Sequence, residues 1–488
     1  MAKMKAMADE AAKPTPTEEK DKFNFQEEEP VVTQHRAAGL KYTVTTGRMP
    51  LKNDLGEIQA QVFYIAYTLD GADPLDRPVT FTFNGGPGSP AIWLHMGALG
   101  PKRAPLTSDG QLPPPPYNLI ENPDTWLHFT DLVFIDPVGT GYSRGKDKET
   151  SEKYWSVEGD VKGVGEFIRM YLNRADRWRS PLYLAGESYG TTRSAGLAGH
   201  LVSEGIAFNG IILVSSILNF QTAGFATGND LVYKLFLPTY TATAYFHGKL
   251  PWAKSLEQAL KESEAFALHD YAIALNKGDD LHGDERSKAV AELARLTGLS
   301  EEYVDRCDLR IKQPNFCKEL LRDRRRTVGR LDSRIVGIEP FARGEADSMN
   351  SDPSMSMLMP PYTAAFHDYL RRELGYRSDA KYEIFGGIGK WDWGGNKREG
   401  FPDTGDALRD AMHKNPYMKV FVASGYFDLA TPYFATEYTF RHMGLDPEVR
   451  GNFEMGYYEA GHMMYVHEDY LRKLRVDIER FVTQTKGR

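Results

Sequence analysis

The turn Gly186-Glu187-Ser188-Tyr189-Gly190 constrains this chain more than any other feature. It stands between a short apolar run, Pro181–Ala185, and a helical stretch. Passing from strand to helix through so tight a turn holds the central serine in a strained conformation with its hydroxyl exposed. Glycines on either side leave room where strand and helix converge. The simpler alternative is an ordinary turn with a capping serine.

The surroundings favour the first reading. The runs Leu40–Thr46, Ile58–Leu69, Val79–Phe83 and Asp131–Ile135 are rich in β-branched and aromatic residues and predict strands. Val161, Val164, Phe167, Ile168 and Leu172 share one helical face, which predicts a helix over Glu158–Arg177. Gly210–Ser215 predicts another strand. From about Gln221 to Gly395 the pattern turns helical and irregular. Strands return at Met418–Ala423 and Phe453–Tyr458, and an amphipathic helix runs from His467 to about Thr485. Strands alternating with helices imply a parallel sheet with right-handed crossovers. The expected architecture is an α/β-hydrolase fold, a doubly wound, mostly parallel sheet with an inserted, mainly helical cap. Residues 1–37 are expected to form a disordered tail, 38–221 and 396–488 the core, and 222–395 the cap.

The 488 residues suit a large domain with an insertion, or two domains. A hydrophobic share of 41% and a charged share of 26% are those of a soluble globular chain. The net charge of −8, with no basic stripe and no zinc-spaced Cys/His set, argues against a nucleic-acid partner. No apolar run reaches the roughly 20 residues that span a bilayer. Residues 1–22 lack the apolar segment of a signal peptide. The compartment is cytoplasmic on that reading, or periplasmic or secreted if a signal has been removed. Cys307 and Cys317 fit either a short-loop disulfide or two free thiols. The oligomeric state stays open.

A serine hydroxyl needs a base, usually a histidine held by a carboxylate. On this fold the acid and then the histidine follow the serine along the chain, after later strands. Asp428 follows the strand Met418–Ala423, and His462 follows the last strand. Asp403, Asp406, His442 and His467 compete for these roles from positions expected to face solvent. Acyl chemistry also needs amides for an oxyanion. Tyr189, the residue after the serine, supplies one. The loop Gly85-Gly86-Pro87-Gly88 supplies the other, with Gly86 as the chosen donor.

Taken together, Asn84-Gly85-Gly86-Pro87-Gly88-Ser89, Asp136-Pro137-Val138-Gly139-Thr140-Gly141-Tyr142-Ser143, Gly186-Glu187-Ser188-Tyr189-Gly190 and Gly461-His462-Met463 resemble the serine carboxypeptidases, in that family's order. The match is to a divergent member of bacterial type. The resemblance implies peptide substrates cut at the C-terminus, without metal or cofactor. It also implies that Asn84 and Glu187 bind the substrate's free carboxylate. A carboxyl facing a carboxylate works only through a shared proton, which favours acidic pH.

The chain departs from this pattern at Ala98. The family places a second Glu there, ten residues after Gly88 and just before a Gly-Pro, here Gly100-Pro101. Thr82 also replaces a Trp, and Ser89-Pro90-Ala91 replaces Cys-Ser-Ser. A lone Glu187 predicts a weaker acidic preference. Arg193 is a possible substitute carboxylate binder, though a structural ion pair suits its helical spacing better. Tyr142 and Tyr189 are possible pocket walls. The function expected is a serine carboxypeptidase. An esterase or acyltransferase with the same triad is the alternative, and a non-catalytic binding protein the third reading.

Overall fold

The computed structural model describes residues 25–339, 352–394 and 400–487. Most of the expected tail, residues 1–24, and the expected cap boundary at 395–396 lie outside the described residues. The strand-forming runs become β1 Val31–Ala37, β2 Leu40–Lys52, β3 Ile58–Leu69, β4 Val79–Phe83, β5 Asp131–Ile135, β6 Leu182–Glu187, β7 Gly210–Val214, β8 Lys419–Gly425 and β9 Phe453–Tyr458. They lie in the order β1-β2-β3-β5-β4-β6-β7-β8-β9, with Arg144–Gly145 pairing to β3. From β5 to β9 along that order every neighbour is parallel. β1, β2 and β3 form an antiparallel ribbon that joins the edge of β5.

The central strands are apolar on both faces because helices cover both. Tyr183, Ala185, Ile212, Val214, Phe421 and Ala423 face one layer. Leu182, Leu184, Ile211, Leu213, Val420 and Val422 face the other. The second layer is closed by α1 Val157–Arg174, α2 Tyr189–Ser203 and Gly405–Lys414. Ser156 starts α1, its hydroxyl accepting the Gly159 amide at 2.9 Å. The first layer is closed by the C-terminal helix Glu468–Thr485. Its Leu471, Leu474, Ile478, Phe481 and Val482 form the apolar stripe that the sequence predicts.

Two expectations need correction. The tail does not extend to residue 37: residues 31–37, assigned to it, form β1, paired from Val31↔Thr46 to Ala37↔Leu40. Its outer residues are exposed, so it shows no apolar face to read. Its hairpin turn is Ala38-Gly39, both at positive φ, 51° and 77°, without the Asn-Gly or Asp-Gly signal of such turns. The interval 222–395 is also not one packing unit. Residues from Val232 to Val328 share a core of their own. The helix Pro353–Arg372 instead buries Leu358, Tyr362, Phe366 and Tyr369 in the layer against the sheet. Cys317 is a free thiol, so the two cysteines form no short-loop disulfide, and burial pushes the Cys317 pKa up to about 12.

Ala38 holds a left-handed conformation that costs an L-residue with a Cβ roughly 1–2 kcal/mol. Ala38→Asn should therefore raise stability by about 0.5–1 kcal/mol. A denaturation midpoint unchanged or lowered relative to the parent would show that β1 does not depend on this turn.

Candidate active site

β6 ends at Glu187, level with Val214 of β7. Ser188 follows at φ 59° and ψ −131° and opens α2. A non-glycine there carries strain of about 1–3 kcal/mol. Its amide donates to the Val214 carbonyl at 3.0 Å, which pins the turn to the sheet. A Cβ at Gly186 would collide with the Gly190 carbonyl, and one at Gly190 would lie 2.9 Å from the Phe83 carbonyl. The glycines are thus required by the close approach of strand, helix and the end of β4.

β4 lies between β5 and β6, so the chain leaves it one way and enters β6 from the other. Loops diverge at such a reversal and leave a crevice at the strand ends. The Gly85-Gly86-Pro87-Gly88 loop and the turn at Ser188 meet in it. A Cβ on Gly85 would collide with the Tyr189 amide nitrogen. Gly86 sits at φ 105°, and Tyr189 is the first residue of α2, where amides have no intrahelical acceptor. The two expected oxyanion donors therefore come from loops in contact.

Asp428 and His462 come from the loops after β8 and β9. Nδ1 of His462 lies 2.7 Å from Asp428 Oδ2, and their residues are 3% and 0% exposed. The Ala430 and Thr431 amides donate to Asp428 Oδ1 at 2.8 and 3.0 Å, and the Thr431 hydroxyl donates to Oδ2 at 2.6 Å. Ser215, next after β7, donates its hydroxyl to the His462 carbonyl at 2.6 Å. That bond brings the histidine loop to the strand end beside Ser188. Burial pulls the His462 pKa down, but the charge and hydrogen bond of Asp428 outweigh it, so the pKa is raised. The competitors stand elsewhere: Asp403, Asp406 and His442 are exposed, and His467 heads the last helix.

Glu187 is 3% exposed, not a surface side chain. Burial raises its pKa to about 7, against the lowering effects of His462, Tyr465 and Asn84. The Tyr465 hydroxyl donates to Glu187 Oε2 at 2.5 Å. Asn84 is anchored by its Oδ1, which accepts the Leu94 amide at 3.0 Å. Its buried Nδ2 has no partner at full hydrogen-bond geometry among the described residues, yet lies near enough to Glu187 to lower that carboxyl's pKa. Ala98 is buried in the helical turn His95–Leu99 beyond this loop.

Arg193 is turned away from any substrate. Its Nε donates to Asp160 Oδ2 at 2.8 Å and its Nη1 to the Asn84 carbonyl at 2.6 Å. Tyr189 donates to the same Asp160 oxygen at 3.2 Å. Tyr142 and Tyr189 are packed in the interior rather than walling a cleft. The sequence reading missed Tyr465, which lies three residues beyond His462 without motif character of its own. It also missed the segment 330–334. Leu331 accepts the His462 amide at 2.6 Å, Arg330 accepts the Leu429 amide at 3.0 Å, and the Ser333 amide donates to Phe427 at 3.0 Å. This inserted strap thus ties the Asp428 and His462 loops together through backbone bonds, which side-chain motifs do not reveal.

Arg193→Met should destabilise the fold by about 3–5 kcal/mol, because it strands the Asp160 carboxyl in the interior. A double change, Asp160→Leu with Arg193→Met, should recover part of that loss. Denaturant unfolding of the three proteins tests this, and a single variant as stable as the parent would contradict it.

A family model described as "Serine carboxypeptidase" matches residues 52–476. Among curated proteins, serine carboxypeptidase-like 9 of Arabidopsis thaliana is 26% identical over 212 residues, 42% of this chain and 45% of that protein. Carboxypeptidase sxa2 of Schizosaccharomyces pombe is 29% identical over 166 residues, 32% of this chain and 31% of that protein. The matched stretches thus span less than half of either relative's length. Both are eukaryotic, which lends no support to the expected bacterial type. The crystal structure of Kex1(Δ)p, a prohormone-processing carboxypeptidase from Saccharomyces cerevisiae, superposes with a TM-score of 0.55 at 16% identity, over 92% of each chain. That likeness bears on the fold, which is the α/β-hydrolase fold. With the model running from the second strand into the last helix, the chain belongs to the serine carboxypeptidase family.

Proposed function

We propose that this protein is a serine-type carboxypeptidase that removes C-terminal residues from peptides through an acyl-enzyme. The observation that carries the reading is a buried carboxyl, Glu187, and an unsatisfied buried amide, Asn84 Nδ2, on the two loops that meet at Ser188. A generic esterase has no use for either. A peptide's terminal carboxylate can take a hydrogen bond from each, provided Glu187 carries a proton.

In the proposed reaction the Ser188 hydroxyl attacks the scissile carbonyl and passes its proton to His462 Nε2. Asp428, an acceptor only, keeps the other imidazole proton on Nδ1 and stabilises the charged ring. The amides of Gly86 and Tyr189 hold the oxyanion. His462 then protonates the leaving amine, and the acyl ester on Ser188 remains. Water, deprotonated by His462, releases the acyl group and restores the serine. The family relationship and the buried Asp428–His462 pair support this assignment.

A fluorophosphonate should label the protein, and Ser188→Ala should abolish labelling. Turnover should favour a blocked dipeptide with a free C-terminus over its amide and over a simple aryl ester. Equal or faster turnover of the amide or ester would point instead to an esterase or acyltransferase on the same triad.

The pH dependence follows from Glu187. Its proton is retained to about pH 7, so KM for the free acid should climb above that pH. The amide, which needs no protonated Glu187, should show no such climb. A sharp optimum in the acidic range, near ordinary carboxyl titration at about 4, would contradict this. The same shift is linked to stability. A pKa raised from 4.5 to about 7 on folding gives stability that is full below 4.5 and lost as pH rises through about 7. Glu187→Gln should therefore gain on the parent as pH is raised across that window. A constant stability difference between the two would refute it.

A further inference from the structure

We propose that Tyr465 takes the place of the carboxyl missing at Ala98, as the positioning residue that fixes which oxygen of Glu187 faces the substrate. The inference rests on the carboxypeptidase reading above. Tyr465 is fully buried, and its hydroxyl donates to Glu187 Oε2 at 2.5 Å. Its ring lies against Gly97, the neighbour of Ala98, so that a Cβ on Gly97 would come within 2.5 Å of the Tyr465 Cε2. Tyr362, from the helix Pro353–Arg372, presses its hydroxyl on Gly97 as well. Where the family pattern has a second carboxyl, this chain has small residues at 97 and 98 and two phenols packed around them.

The exchange changes the chemistry. Two carboxyls share one proton, and either can hold it. A phenol gives its proton to Glu187 as a hydrogen bond and keeps it throughout the neutral range. With Oε2 occupied as an acceptor, the acid proton of Glu187 resides on Oε1. There it joins Asn84 Nδ2 as the second donor to the substrate carboxylate. The other groups that act on Glu187 are Asn84 from the loop after β4, His462 and Asp428 from the loops after β9 and β8, and Tyr362. Asp428, the carboxyl among them, is taken up by the Ala430 and Thr431 amides, the Thr431 hydroxyl and His462, and does not share a proton with Glu187 as a paired acid would.

Tyr465→Phe keeps the ring and removes only the hydroxyl. KM for the free-acid dipeptide should rise about tenfold, the effect of losing one buried hydrogen bond. kcat should fall far less. The pH above which KM climbs should move upward, since the Tyr465 bond favours the ionised Glu187. In a Glu187→Gln background the substitution should lose most of its effect on KM. A uniform drop in kcat with the pH limb unmoved, or the same KM change with and without Glu187, would assign Tyr465 to packing and overturn the inference. A parent that shows no preference for the free acid over the amide would instead overturn the carboxypeptidase reading itself. Infrared difference spectra of the parent against Glu187→Gln need no Tyr465 variant. They should show a protonated carboxyl at a hydrogen-bonded frequency below pH 7, and a free-acid frequency would also overturn the inference.

Discussion

The backbone of Gly85 lies directly against the amide of Tyr189, with no space for a side chain between them. Everything at the site depends on that contact. It exists because β4 is flanked by β5 and β6, so the loops at its end and at the end of β6 meet in the crevice where strand order reverses. Gly186 and Gly190 allow the strand and helix on the other side of Ser188 to close on the same point. Arg193 then locks the arrangement from beneath, holding the Asn84 carbonyl and Asp160 together.

Burial sets the electrostatics of what is assembled there. Removing the Asp428 carboxylate from water costs several kcal/mol. Two amides, one hydroxyl and the His462 ring offset that cost. The same burial acts on Glu187, outweighs the lowering effects of His462, Tyr465 and Asn84, and so raises its pKa to about 7. Asp428 is ringed by donors to its carboxylate, whereas Glu187 accepts a hydrogen bond from Tyr465 alone among the described side chains.

The inserted region is part of this design rather than a separate lid. Its core continues into Phe427, Leu429 and Tyr433, which bracket Asp428. Its strap at 330–334 bonds to both the acid and histidine loops. A second portion, the helix Pro353–Arg372, places Tyr362 beside Gly97. The insertion therefore supports the site from two sides.

The parallel core was legible in the chain because its strands are short, apolar and separated by helices with a clear period. Ser188, Asp428 and His462 were legible as candidates because their chemistry sits at strand ends in a known order. β1 was not, since an edge strand with one exposed face and an Ala-Gly turn carries little signal. Tyr465 was not either, because its meaning depends on Ala98, about three quarters of the chain away in sequence. The sequence alone determined which residue types were available and which backbone turns were possible. Only the tertiary structure decided that a phenol meets Glu187, that Arg193 faces Asp160 and not a substrate, and that one stretch of the insertion holds two loops. Those are distances between residues far apart in the chain, set by packing, and local pattern does not encode them.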